Sequence, residues 1–152
     1  MYAFTAITGI AELIIPFTSS VERAKRYHGT NPFGGTTSLA SGILMGLHSL
    51  HNEINKDPST IPIMVLVTNG KSDVPLEVGG NINRELSMVL HHVVNEGVHV
   101  LVVDMSSHGS RLASVIAEEV NGRYCHPERL NKEILYNAIS EQGYDASYYT
   151  NV

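Results

Sequence analysis

The sequence predicts an α/β fold of three layers, a mainly parallel sheet flanked by helices. Residues 61–67 and 98–103 are continuous apolar runs, the pattern of strands covered on both faces. Between and after them, apolar residues recur at helical spacing. Strand and helix alternate, so the strands join through right-handed crossovers.

Taken in order, residues 2–16 read as two short strands around Thr8-Gly9, with 11–15 the clearer one. Ser19 and Glu22 match a capping box, predicting a helix to about residue 27. Residues 28–36 hold Gly, Pro and Asn and read as a turn-rich connection. Thr37 then opens an amphipathic helix to about residue 55, with Leu39, Ile43, Leu47, Leu50 and Ile54 on one stripe. Its small residues Ala40, Ser41, Gly42 and Gly46 allow close approach to a sheet. A loop at 70–80 leads to a helix at about 83–95. Residues 110–120 are helical, with Leu112, Val115, Ile116 and Ala117 turned inward, and 123–125 form a short edge strand. A last helix spans 130–140. Residues 1–141 form one domain, and the polar, Tyr-rich stretch 142–152 is a flexible tail.

The 152 residues suit a single domain. A hydrophobic fraction of 43% and a charged fraction of 16% are ordinary for a globular protein. A net charge of −5 argues against a general nucleic-acid binder and against attraction to anionic membranes. The lone Cys125 excludes an internal disulfide, and no apolar run reaches the roughly 18 residues of a membrane span. No basic leader precedes the first strand, so the expected setting is the cytoplasm.

In sheets of this kind ligands bind beyond the carboxyl ends of the strands. That edge gathers the loops at 30–37, 68–75 and 104–110, which makes Gly35, Thr36, Thr37, Ser38, Thr68, Asn69, Gly70, Lys71, Asp73, Asp104 and Ser106 the candidate site. Thr37 stands where a loop meets a helix N-terminus, so its hydroxyl can cap the helix or reach a metal or anion. Thr68-Asn69-Gly70-Lys71-Ser72 suggests a phosphate-binding loop, but that motif needs a glycine where Val65 stands inside a strand. His48 with His51, and His91 beside His92, lack the convergent third ligand a zinc site needs. Cys125 reads as a buried structural thiol. No paired carboxylates or Ser-His-Asp pattern stands out.

Four ordered segments carry a family resemblance: 16–25 (PFTSSVERAK), 34–42 (GGTTSLASG), 67–74 (VTNGKSDV) and 122–124 (GRY). Over residues 4–140 the chain resembles the von Willebrand factor A (VWA) domain of the D subunit of magnesium and cobalt chelatases. The resemblance implies a Rossmann-like sheet of order 3-2-1-4-5-6 and a Mg²⁺ site fed by oxygens from three loops. Thr37 matches that family's threonine ligand, and Asn69 stands where its aspartate belongs. The family's Asp-x-Ser-x-Ser loop is absent. Asp104-Met105-Ser106-Ser107-His108 approximates it, yet ends in histidine and follows a late strand, so Asp104 reads instead as a strand-end cap for the helix at Ser110. Mg²⁺ binding is therefore expected to be weak, at a degenerate site of Thr37 and Asn69.

The chain also begins near the family's second strand, so the first central strand is expected to be missing, as in a truncated or split gene product. An uncovered sheet edge beside Val65 or Phe4 would then favour pairing with another chain or a second copy. The implied function is a non-catalytic docking module for ATP-dependent metal insertion into tetrapyrroles, with an AAA+ chelatase subunit as partner. A stand-alone VWA-like adaptor for a MoxR-type ATPase is the alternative. A small α/β hydrolase using Thr37, Asn69 and Asp104 is the enzymatic one, although no nucleophile–base pair supports it.

Overall fold

The computed structural model describes residues 2–8, 10–20, 22 and 38–126. The helices expected at 19–27 and 130–140, the loop at 28–36 and the tail lie mainly or wholly outside the described residues. Among the described residues there are two separate β units. Strands β1 (Tyr2–Thr8) and β2 (Ile10–Thr18) pair antiparallel. The second strand continues two residues past Pro16, further than the sequence suggested.

Strands β3 (Ile63–Thr68), β4 (His99–Asp104) and β5 (Arg123–Cys125) form a parallel sheet of order β3-β4-β5. The register pairs Val65 with Leu101, Val67 with Val103, and Val103 with Cys125. Helices α1 (Leu39–Lys56), α2 (Ile82–Asn95) and α3 (Arg111–Glu119) separate them. Each begins on a polar cap whose side chain accepts from a backbone N–H three residues on: Ser38 from Ser41, Asn81 from Arg84, Ser110 from Ala113. Such a cap satisfies one of the orphan donors of a first helical turn. The cap of α1 is thus Ser38, one residue later than the sequence suggested for the helix start.

The alternating pleat sends Leu66, Val100 and Val102 to one face of the parallel sheet. There they pack with Leu39, Ile43 and Leu47 of α1, Leu86, Val89 and Val93 of α2, and Ala113, Ile116 and Ala117 of α3. Ala113, not Val115, completes the inward stripe of α3. The three described helices therefore share one face, and the helices expected at 19–27 and 130–140 lie mainly or wholly outside the described residues. Leu101, Val103 and Cys125 form a smaller buried cluster on the opposite face.

The expectation that β3 is covered on both sides fails. Val65 is 45% exposed and Val67 59%, while their register neighbours Leu101 and Val103 are buried. An apolar run reports composition alone, and cover depends on what later packs over the strand. Helix α1 packs against β1, β2 and β3, so it links the β1–β2 pair to the β3 side of the parallel sheet. The Ala11 N–H donates to Ser41 Oγ at 3.0 Å across that junction. No described helix is long and apolar enough to cross a membrane.

Candidate functional site

Asp104 ends β4 and is fully buried. A carboxylate in that position survives only if its oxygens are hydrogen-bonded. Its Oδ1 accepts from the Ser106 N–H at 2.9 Å. Its Oδ2 accepts from the Ser110 N–H and, at 2.7 Å, from the Tyr124 hydroxyl of β5. Burial pushes the carboxyl toward the neutral form. The Ser106, Ser110 and Tyr124 donors outweigh it and hold the pKa at about 2, below the ordinary 3.8. The Ser106 hydroxyl is buried with no hydrogen-bond partner of normal geometry, yet lies near enough to favour the charge. Tyr124 responds in the opposite sense. Its hydrogen bond to Asp104, with burial and the nearby negative charge, raises its pKa above 10.0.

The neighbouring loop after β3 is tied to the same group. Met105 N–H donates to the Thr68 carbonyl at 2.7 Å, extending the β3–β4 ladder into the turn. Thr68 Oγ1 accepts from the Gly70 N–H at 3.0 Å, and Asn69 Oδ1 accepts from the Lys71 N–H at 3.2 Å. Both are side-chain turns that fold the loop back on itself. Ser110 Oγ reaches the Gly70 carbonyl at 3.5 Å, joining the two loops. On the far side, His126 Nε2 lies 2.8 Å from the Ser106 carbonyl. The tautomer with hydrogen on Nε2 donates to it.

Gly70 is required in this arrangement. Its φ is +74°, and a Cβ there would overlap the Ser110 side chain. Both terms oppose any L side chain. Gly70→Ala is expected to lower unfolding free energy by about 1–3 kcal/mol, read from urea midpoints. An unchanged midpoint would mean that the two loops are not in contact.

The structure thus brings Thr68, Gly70, Asp104 and Ser106 together, joined by Ser110 and Tyr124. Asn69 and Lys71 lie in the same loop, and Asp73 is exposed further along it. Ser38 is buried as the cap of α1. Gly35, Thr36 and Thr37 lie outside the described residues. Asp104 acts as the strand-end cap expected of it, with Ser110 among its donors. Tyr124 was not anticipated as its partner. The β4–β5 register brings it there, aligning Tyr124 with Val102, two residues from Asp104.

Magnesium needs hard oxygens with free lone pairs converging near 2.1 Å. Among the described residues no three His, Cys, Asp or Glu side chains converge. Both Asp104 oxygens and the Asn69 carbonyl oxygen already accept from the chain's own donors. Among the described residues, therefore, no ready-made set of acidic ligands for Mg²⁺ stands at this edge. Ser107 Oγ and His108 Nδ1 meet at 2.8 Å in the exposed loop, but the buried Asp104 carboxylate is occupied elsewhere.

No family model matches the chain. It is 29% identical over 126 residues to an uncharacterized protein of Methanocaldococcus jannaschii, covering 81% of this chain and 71% of that protein. It is 27% identical over 143 residues to the magnesium-chelatase 67 kDa subunit of Chlorobaculum parvum, and 26% over 137 residues to that of Heliobacterium mobile. These matches cover 86% and 85% of this chain but only 23% and 20% of the subunits, so the chain spans less than a quarter of their length. Over most of its own length, the chain is similar to a part of the magnesium-chelatase 67 kDa subunit.

Proposed function

We propose that this chain is a non-catalytic, VWA-like interaction module of a magnesium- or cobalt-chelatase type of assembly. The observation that carries the reading is the similarity to magnesium-chelatase 67 kDa subunits, which runs through 85–86% of the chain. A parallel α/β sheet of order β3-β4-β5 with helices packed on it is compatible with a Rossmann- or VWA-like fold. In this reading Thr37 and Asn69 are the remnants of a degenerate metal site. Metal insertion belongs to the whole assembly, with the inserted metal as its substrate, and this chain contributes docking to an AAA+ subunit.

What supports docking over catalysis is the use of the polar groups at the strand ends. Asp104 is buried and held ionised by three donors, a state suited to fixing a surface and unsuited to proton transfer near neutral pH. Ser110, one of those donors, also reaches the Gly70 carbonyl, so the loops at 68–73 and 104–110 are tied to each other. Loops already tied together lower the ordering cost of association.

The test is affinity capture with the immobilised full chain against the purified AAA+ and porphyrin-binding subunits of a magnesium or cobalt chelatase. Retention of the AAA+ subunit by the folded wild-type chain, and weaker retention by Gly70→Ala, is expected. Retention of neither subunit by a chain that melts cooperatively would refute the reading.

A further inference from the structure

The chain holds two Asn-Gly pairs, Asn69-Gly70 and Asn121-Gly122. The backbone nitrogen of a residue can attack the side-chain amide of an asparagine before it, and a glycine puts no Cβ in the way. The structure sets the two pairs apart. Asn69 is exposed in the loop after β3. Its Oδ1 accepts from the Lys71 N–H at 3.2 Å, and the ring closed by that bond contains both the Asn69 Cγ and the Gly70 nitrogen. The electrophilic carbon is thereby held on the side of its nucleophile. The same N–H points at the oxygen on which negative charge develops during attack. The Gly70 N–H donates to Thr68 Oγ1 at 3.0 Å, so a turn of one hydroxyl within the loop releases it.

Asn121-Gly122 closes the end of α3. The Asn121 N–H donates to the Glu118 carbonyl at 3.1 Å and the Gly122 N–H to the Ala117 carbonyl at 2.8 Å. Gly122 also lies against the backbone of β4, since a Cβ there would come within 2.5 Å of the Val100 carbonyl oxygen. Attack by the Gly122 nitrogen requires the helix end to unwind and lift off the sheet. That opening costs more than a local change in an exposed loop.

We propose that Asn69-Gly70 is a self-modification site of the folded protein, where the Asn69 amide becomes a carboxylate through a cyclic imide, with water as the co-reactant. The Gly70 nitrogen gives up its proton and bonds to the Asn69 Cγ. The bond from Cγ to the side-chain nitrogen breaks, and that nitrogen leaves as ammonia. Water then opens the imide. Opening at Cγ leaves an aspartyl residue in an unaltered backbone, and opening at the main-chain carbonyl leaves an isoaspartyl linkage. Nothing is oxidised or reduced. Either product adds one negative charge to the −5 of the chain, at an edge where the Asp104 carboxylate is already taken by three donors. The isoaspartyl product also lengthens the backbone beside Gly70, whose packing against Ser110 leaves no slack. The inference rests on the loop after β3 and holds whichever assembly the chain serves.

Peptide mapping by mass spectrometry tests it, on the full chain aged at physiological temperature and mildly alkaline pH, with a parallel sample unfolded in guanidinium chloride. Each site's rate in the folded chain is divided by its rate in the unfolded one. On that scale position 69 should convert at least about tenfold faster than position 121, a barrier difference of ~1.4 kcal/mol. Asn69→Gln should keep the wild-type melting temperature and lose the acidic species that ion exchange separates from the aged protein. Three outcomes overturn the inference. The first is no conversion at position 69 of the folded chain over the time in which the unfolded chain converts. The second is conversion at position 121 as fast as at 69 on the same scale, which would mean that the dipeptide and not the loop sets the rate. The third is persistence of the acidic species in Asn69→Gln, which would place the modification elsewhere.

Discussion

Replacing Asp104 by alanine is expected to lower the unfolding free energy by about 2–4 kcal/mol, the largest effect of any polar substitution in the described sheet. The change leaves the Ser106 N–H, the Ser110 N–H and the Tyr124 hydroxyl without their acceptor in a buried site. It also cuts the link between the ends of β4, β5 and α3. Urea unfolding at neutral pH measures the loss.

Asp104→Asn separates charge from shape. The folded pKa, about 2, lies below the ordinary 3.8, so the ionised group favours the folded state. That contribution is complete above about pH 4 and is lost as pH falls toward 2. The wild type should therefore lose stability through this window, and Asp104→Asn should lose less there while being weaker at pH 7. Parallel acid limbs for the two proteins would show that the carboxylate is not held as described.

Ile43→Ala is the second large effect, expected at about 2–5 kcal/mol. Ile43 is 2% exposed on α1, in the one cluster that gathers α1, α2, α3, β3 and β4. Truncation removes apolar burial and opens a cavity at the centre of that layer. Val65→Thr provides the contrast. Its side chain is apolar and lies in the sheet, yet it is exposed, so the change should fall within about 0.5 kcal/mol. Equal effects at the two positions would mean that both faces of β3 are covered.

Much of the parallel sheet is legible in the chain because its strands are short, apolar and separated by well-capped helices. Ser110 and Asn81 stand where helix-start rules place a cap, and β5 is found at 123–125 as expected. What the pattern misses is cover. The runs at 61–67 and 98–103 look alike, but β4 lies between two strands while β3 stands at the margin. Period and composition describe a strand, and neighbours brought in from elsewhere in the chain decide its burial.

The site was legible at the level of the edge and not of its wiring. Loops 68–73 and 104–110 follow adjacent strands and must meet. The Tyr124 bond to Asp104 spans twenty residues and depends on the β4–β5 register, which no local pattern encodes. Asn69 matches a metal ligand of the resembled family by position, yet its carbonyl oxygen turns to the Lys71 N–H of its own loop.

The central claim is that hydrogen bonds within the protein are enough to hold this edge together. A ligand that binds only the folded state must raise the melting temperature, by an amount set by its concentration relative to Kd. The decisive measurement is a thermal unfolding curve of the full chain with and without Mg²⁺ at about a hundredfold molar excess over protein. The account predicts a cooperative melt whose midpoint is the same in both. A rise of several degrees with Mg²⁺, lost in Asn69→Ala, would contradict it and restore a working metal centre at the strand ends.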